Sequence, residues 1–149
     1  MPRLADFSGI WRLQRRIRHG DGTSGQAEGQ VVFAPAGEGL RQHETGLLRM
    51  NGPEGPMPPL AFTRDYLWSE GADELIVRFS DGRDFHHFDA TGAKASAHHI
   101  CPPDDYRVAY DFSAWPDWRA VWMVSGPQKS YTMDTLFYRE GAKGLHPMN

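Results

Sequence analysis

The sequence predicts an all-β protein: a single antiparallel up-and-down barrel of about ten strands. Three observations carry this reading. Apolar and polar residues alternate with period two along most of the 149 residues, the repeat of a strand with one buried face. Glycine and proline, 16 and 11 in number, fall mostly between the alternating runs and mark turns. No helical stripe of about ten residues competes with them. Sequential hairpins close a barrel without long crossovers, and closure removes the exposed sheet edges.

The segment Leu4–Phe7 suits one short helical turn ahead of the first strand. Strands are predicted at 9–18, 26–34, 40–49, 60–68, 74–80, 84–89, 94–100, 106–112, 118–125 and 130–139. In each, the more apolar face is assigned inward. The first strand turns in Trp11, Leu13, Arg15 and Ile17, and the second Ala27, Gly29, Val31 and Phe33. The third supplies Leu40, Gln42, Glu44, Gly46 and Leu48, and the fourth Leu60, Phe62, Arg64, Tyr66 and Trp68. The eighth supplies Tyr106, Val108, Tyr110 and Phe112. The last hairpin turns at 126–129 and puts Trp118, Ala120, Trp122, Val124, Tyr131, Met133, Phe137 and Arg139 on one face. Residues 50–59 (MNGPEGPMPP) are the one long connection and read as a mobile loop or lid. The barrel domain is assigned to 1–140, with 141–149 expected as a disordered tail.

Residues 75–101, LIVRFSDGRDFHHFDATGAKASAHHIC, are the most informative stretch. Asp81-Gly82 and Thr91-Gly92 read as two-residue hairpin loops. That register pairs Phe79 with Asp84, Val77 with His86, and His86 with Ala97. One face then holds Leu75, Val77, Phe79, His86, Phe88, Ala95, Ala97, His99 and Cys101, so two histidines and the only cysteine lie on an apolar surface. The other face, with Arg78, Ser80, His87, Ser96 and His98, is solvated. Ile76, Phe85 and Val121 point outward and offer a small apolar surface for a homodimer.

The inward set is too polar for a plain hydrocarbon core. Buried polar groups take partners or form a site. Arg15 and Arg64 face one glutamate, Glu44, which leaves a guanidinium for the carboxylate or other anion of a ligand. Asp84, opposite His99 in this register, is the competing partner, and a closed salt-bridge network with ordered water is the alternative. The predicted ligand site is Arg15, Glu44, Arg64, Tyr66, His86, His99, Cys101 and Tyr106. It is expected to hold a small amphipathic or anionic molecule between walls of Val31, Phe33, Val77, Phe79, Phe88 and Val108. The alternative is an enzyme, an isomerase, lyase or haem-linked protein. There His86 or His99 would move a proton beside Glu44 or Asp84. His86, His99 and Cys101 are three soft ligands at best and lack the short-pair spacing of a zinc site, so no metal is assigned. Haem stays open through an inward histidine, and no catalytic residue is assigned.

Charge and composition bound the partners. With 16 Lys and Arg against 19 Asp and Glu, the net charge is −3, which gives no field for nucleic acid or an anionic membrane. No apolar run approaches the length of a membrane-spanning helix. The single cysteine excludes an intrachain disulfide, and MPRLADFSGIWRL has no apolar signal region. Together these predict a cytoplasmic protein.

Two resemblances add to this. Phe7-Ser8-Gly9-Ile10-Trp11 resembles the Gly-x-Trp signature that opens the first strand of lipocalin-like (calycin) barrels. There the tryptophan closes one end and an arginine of the last strand packs over it; Trp11 and Arg139 match those positions. The other lipocalin motifs are not evident. Nearly the whole chain resembles a small bacterial family catalogued as a domain of unknown function with a calycin-like barrel. The motifs are Asp81-Gly82-Arg83-x-Phe85-His86, His99-x-Cys101-x-x-x-Asp105-Tyr106 and Trp122-x-Val124-x-Gly126-Pro127-x-Lys129. This resemblance implies the fold and no activity.

Overall fold

A computed structural model describes residues 2–139; the expected tail at 141–149 lies outside them. One 3-10 turn, η1 (Leu4–Phe7), precedes the strands β1 (Gly9–His19), β2 (Ser24–Ala36), β3 (Gly39–Gly52), β4 (Gly55–Pro56), β5 (Leu60–Glu70) and β6 (Glu74–Phe79). They continue with β7 (Asp84–Asp89), β8 (Lys94–Cys101), β9 (Asp104–Asp111), β10 (Trp118–Ser125) and β11 (Ser130–Arg139). Ten strands form one antiparallel sheet in the order β7-β6-β5-β3-β2-β1-β11-β10-β9-β8, and β4 pairs only with β3. The sheet curls into a nearly closed up-and-down barrel, as the alternation predicts. No helix of the described residues is long and apolar enough to cross a membrane.

β1 and β11 meet at Trp11↔Arg139, which joins the two ends of the chain. The Arg139 guanidinium lies 3.7 Å from the centre of the Trp11 ring and donates to the carbonyls of Asp6, Ser8 and Ile10. Trp11 Nε1 donates to the Phe7 carbonyl at 2.7 Å. The turn η1 thereby drives Phe7 into the barrel end, against Trp11, Phe33, Trp68, Phe112, Trp115 and Trp118. Phe7, Trp11 and Trp118 are fully buried, and each large buried side chain contributes about 1.5–3 kcal/mol. This is the closed end.

The register of residues 75–101 differs from the expectation in three places. First, the β6–β7 loop has three residues, Ser80, Asp81 and Gly82: Phe79 N donates to Arg83 O at 2.9 Å, and Gly82 takes φ +92°. Arg78 therefore faces Asp84, where Phe79 was expected. Second, a bulge follows between Val77 and Arg78, and the expected pair Val77↔His86 is restored. A bulge sets two neighbours toward one side, so Phe85, expected outward, is buried beside His86. The homodimer surface thereby loses Phe85. Third, β7 and β8 run side by side without a ladder, so His86 does not pair with Ala97. The corner between them is tied elsewhere. Ala90 N donates to Asp73 O, Phe112 N donates to Ala93 O, and Asp89 Oδ1 accepts from Thr91 N and Oγ1. Thr91-Gly92 closes this side-chain-capped turn, and β7 and β8 flank a seam.

Two smaller corrections concern the open end. Residues 50–59 are not one irregular lid, because Asn51↔Pro56 and Gly52↔Gly55 fold their first part into a hairpin with β4. Leu60, expected inward, starts β5 at the open rim and is 58% exposed.

Candidate functional site

Above the aromatic plug the interior turns polar. Arg15 on β1 and Glu44 on β3 reach across β2, whose Ala27 and Gly29 are small enough to leave room. Their contact is bidentate, with Arg15 donating to both Glu44 oxygens at 3.0 and 3.1 Å. Arg15 Nε donates to Thr135 Oγ1 at 2.7 Å. Gln42 Nε2 donates to Glu44 Oε2, and Trp68 Nε1 to Gln42 Oε1. The pair is almost wholly buried, yet each charge has several charge-assisted partners. This is a satisfied structural layer, so Arg15 and Glu44 stand as framework, not as free site groups.

Arg64 occupies the inward position directly opposite Glu44 in the β3/β5 register. Both Glu44 oxygens are already taken by Arg15. Among the described residues no carboxylate lies within ion-pairing distance of Arg64. Asp84, the expected competitor, is exposed and bonds Arg78 at 3.1 Å. Tyr66 is a neighbour of Arg64 on β5, and burial raises its phenol pKa against the opposing pull of the Arg64 charge.

Two adjoining cavities meet at Arg64. The inner chamber holds about 40 Å³ and is lined by Arg15, Glu44, His86, Tyr110, Trp118 and Thr135 among others. His86 Nε2 and Tyr110 Oη are 2.8 Å apart. His86 Nδ1 and Trp118 Nε1 are buried without a protein partner. A space of this size suits about one to three ordered waters that would satisfy them. Burial lowers the His86 pKa to about 3, with His99 and His87 adding to the shift, and burial raises that of Tyr110. His86 is therefore a neutral hydrogen-bonding group. Its chamber is too small for a porphyrin, so His86 does not fit an axial haem ligand.

The outer cavity is the mouth of the barrel, about 510 Å³, within the range of small-molecule sites. Arg64, Tyr66, Phe85, Trp122 and Met133 line both cavities and form the throat between them. Phe79, Tyr106, Tyr131, His99 and Cys101 line the mouth, whose rim also carries the charged pair of neighbours Arg83 and Asp84. His99 is half-buried there. Cys101, expected on the buried face, is exposed because it ends β8 at the rim. Lys129 donates to Tyr106 Oη at 3.0 Å and pairs with Asp104.

All eight predicted site residues thus fall around one axis, in three tiers. Arg15 and Glu44 make the framework, His86 the inner chamber, and Arg64, Tyr66, His99, Cys101 and Tyr106 the throat and mouth. His86, His99 and Cys101 do not gather, and no three His, Cys, Asp or Glu groups of the described residues are placed to hold a metal. The expected walls Val31, Phe33, Val77, Phe88 and Val108 are packed core; Phe79 alone of that set lines the mouth. Phe85 and Thr135 escaped the sequence reading. Thr135 shares the parity of Met133 and Phe137, a signal that was there, whereas nothing in the residue pattern marks the bulge that turns Phe85 inward.

The profile of the family described as "Family of unknown function (DUF6314)" matches residues 7–139. No curated protein matches the chain in sequence. Among solved structures, the S-type phycobiliprotein lyase CPES from Guillardia theta is similar, with TM-score 0.57 and 8% identity over 94% of this chain and 92% of that one. Rv2717c from M. tuberculosis has TM-score 0.44 and 12% identity over 92% and 94%. A de novo designed fluorescence-activating β barrel has TM-score 0.35 and 14% identity over 92% and 96%. At such identities the first likeness bears on the fold alone.

Proposed function

The chain belongs to the family of unknown function DUF6314, and on that premise we propose that it binds a small amphipathic anion in the mouth of its barrel. The observation that carries this reading is the unequal treatment of the two inward arginines. Arg15 consumes Glu44, the only buried carboxylate among the described residues, and Arg64 faces the throat with no carboxylate within ion-pairing distance among them. A half-buried guanidinium gains most from an anion that arrives with its own apolar body. The body would occupy the mouth between Phe79, Trp122, Val124 and Met133.

The test is calorimetric titration with undecanoate and its uncharged counterpart undecanol. Undecanoate is expected to bind at least about tenfold more tightly, a charge-assisted contact of about 1.4 kcal/mol. Arg64→Met is expected to remove that difference. Equal binding of acid and alcohol, or undiminished undecanoate binding by Arg64→Met, contradicts the reading.

A further inference from the structure

Three rings around the throat stack about a fourth, Phe85, the outer two of them, Phe79 and Tyr66, being tilted 43° to one another. Phe85 lies 4.5 Å from Phe79, 5.1 Å from Trp122 and 5.7 Å from Tyr66, centroid to centroid. The planes of these three are within 24°, 5° and 19° of its own. His99 and Tyr106 stand nearly perpendicular to Phe85, at 85° and 83°. The bulge in β6/β7 sets this up, because it brings Phe85 to the centre of the group.

We infer that the ligand of this mouth is a flat aromatic carboxylate. The inference rests on the anion-binding reading above and adds the shape of the body. A rigid planar guest lying parallel to Phe85 and Trp122, whose planes differ by 5°, extends their offset stack and meets the edges of His99 and Tyr106 face-on. Both arrangements are preferred by aromatic quadrupoles. An alkyl chain gains only area burial there, and it loses internal rotations on binding that an arene does not have. The carboxylate completes the match, since the planar guanidinium of Arg64 binds a planar anion with two parallel hydrogen bonds. The aliphatic wall residues Val124, Ile100 and Met133 lie in the same cavity, but only the stacked Phe85 and Trp122 rings offer a common plane.

Three probes of equal carbon number separate body shape from charge: 2-naphthoate, undecanoate and 2-naphthalenemethanol. The wild-type protein is expected to bind 2-naphthoate about tenfold more tightly than undecanoate, the size of one good aromatic contact. It is expected to bind 2-naphthalenemethanol more weakly than 2-naphthoate by a similar factor. Phe79→Leu, at the half-buried rim, keeps an apolar wall and removes one ring. It is expected to narrow the preference for naphthoate over undecanoate at least threefold. Undecanoate binding as tightly as naphthoate, with both dependent on Arg64, overturns the aromatic assignment and leaves the anion site standing. A naphthoate preference unchanged in Phe79→Leu also overturns it. If neither carboxylate binds, the underlying reading fails. The wild-type comparison decides the matter even where the variant does not fold.

Discussion

The two ends of this barrel are built from the same residue types to opposite effect. At the closed end aromatic rings meet at mixed angles around Phe7, as in a packed core, and the nearby indole of Trp11 is capped by Arg139. At the mouth Trp122, Tyr66 and Phe79 each stack within 24° of Phe85 and border about 510 Å³ of space. The arginines divide likewise: Arg15 is locked to Glu44, while Arg64, opposite the same glutamate, has no carboxylate within ion-pairing distance among the described residues. Interlocked geometry serves stability, and aligned, underpaired geometry leaves a place for something else.

That division is open to direct attack. The largest losses are expected at the closed end and in the polar layer. Phe7→Ala removes the plug and is expected to cost about 3–5 kcal/mol by urea denaturation. Glu44→Gln strands the buried Arg15 charge and is expected to cost a similar amount, about 3–5 kcal/mol. Arg139→Met loses its stacking on Trp11 and its bonds to three carbonyls, about 1–2 kcal/mol in the same assay.

A further effect comes from His86 and appears only as the pH falls. The unfolded chain takes up a proton near the ordinary histidine value of 6.5, while the folded chain holds out until about 3. Stability from this group is therefore complete above about pH 6.5 and falls as the pH drops from there toward 3. The slope is at most about 1.4 kcal/mol per pH unit. His86→Phe is expected to flatten the stability–pH profile across that window; an unchanged slope contradicts the burial of a neutral imidazole. The smallest change is expected for Arg64→Met. Its stability stays within about 1 kcal/mol of wild type, because no pair is broken and an apolar side chain is added. A loss as large as that of Glu44→Gln would show Arg64 to be framework.

Much of this architecture was legible in the residues. Alternation places Trp11, Val31, Glu44, Trp68 and Phe137 inward correctly, since period two admits only two faces and one is apolar. The surplus of inward arginine over glutamate is visible by the same reasoning. Two features were not legible. The three-residue loop at 80–82 and the bulge at Val77/Arg78 shift the register in opposite directions, so Val77↔His86 is right although Phe79↔Asp84 is not. Such compensation leaves no trace in hydrophobic periodicity, and it decides where Phe85 points. The β7/β8 seam was hidden for another reason. The bonds of Ala90 and Ala93 to Asp73 and Phe112 join segments distant in sequence, and a local turn motif does not report them.

The contrast between Arg15 and Arg64 is most directly read from the ¹⁵N resonances of the arginine side chains during titration with undecanoate. The Nε–H signal of Arg64 is expected to shift with saturation. That of Arg15, held by Thr135 and Glu44, is expected to stay in place. A shift of Arg15 with Arg64 unmoved, or no shift of either at saturating undecanoate, would contradict the assignment of the mouth as an anion site.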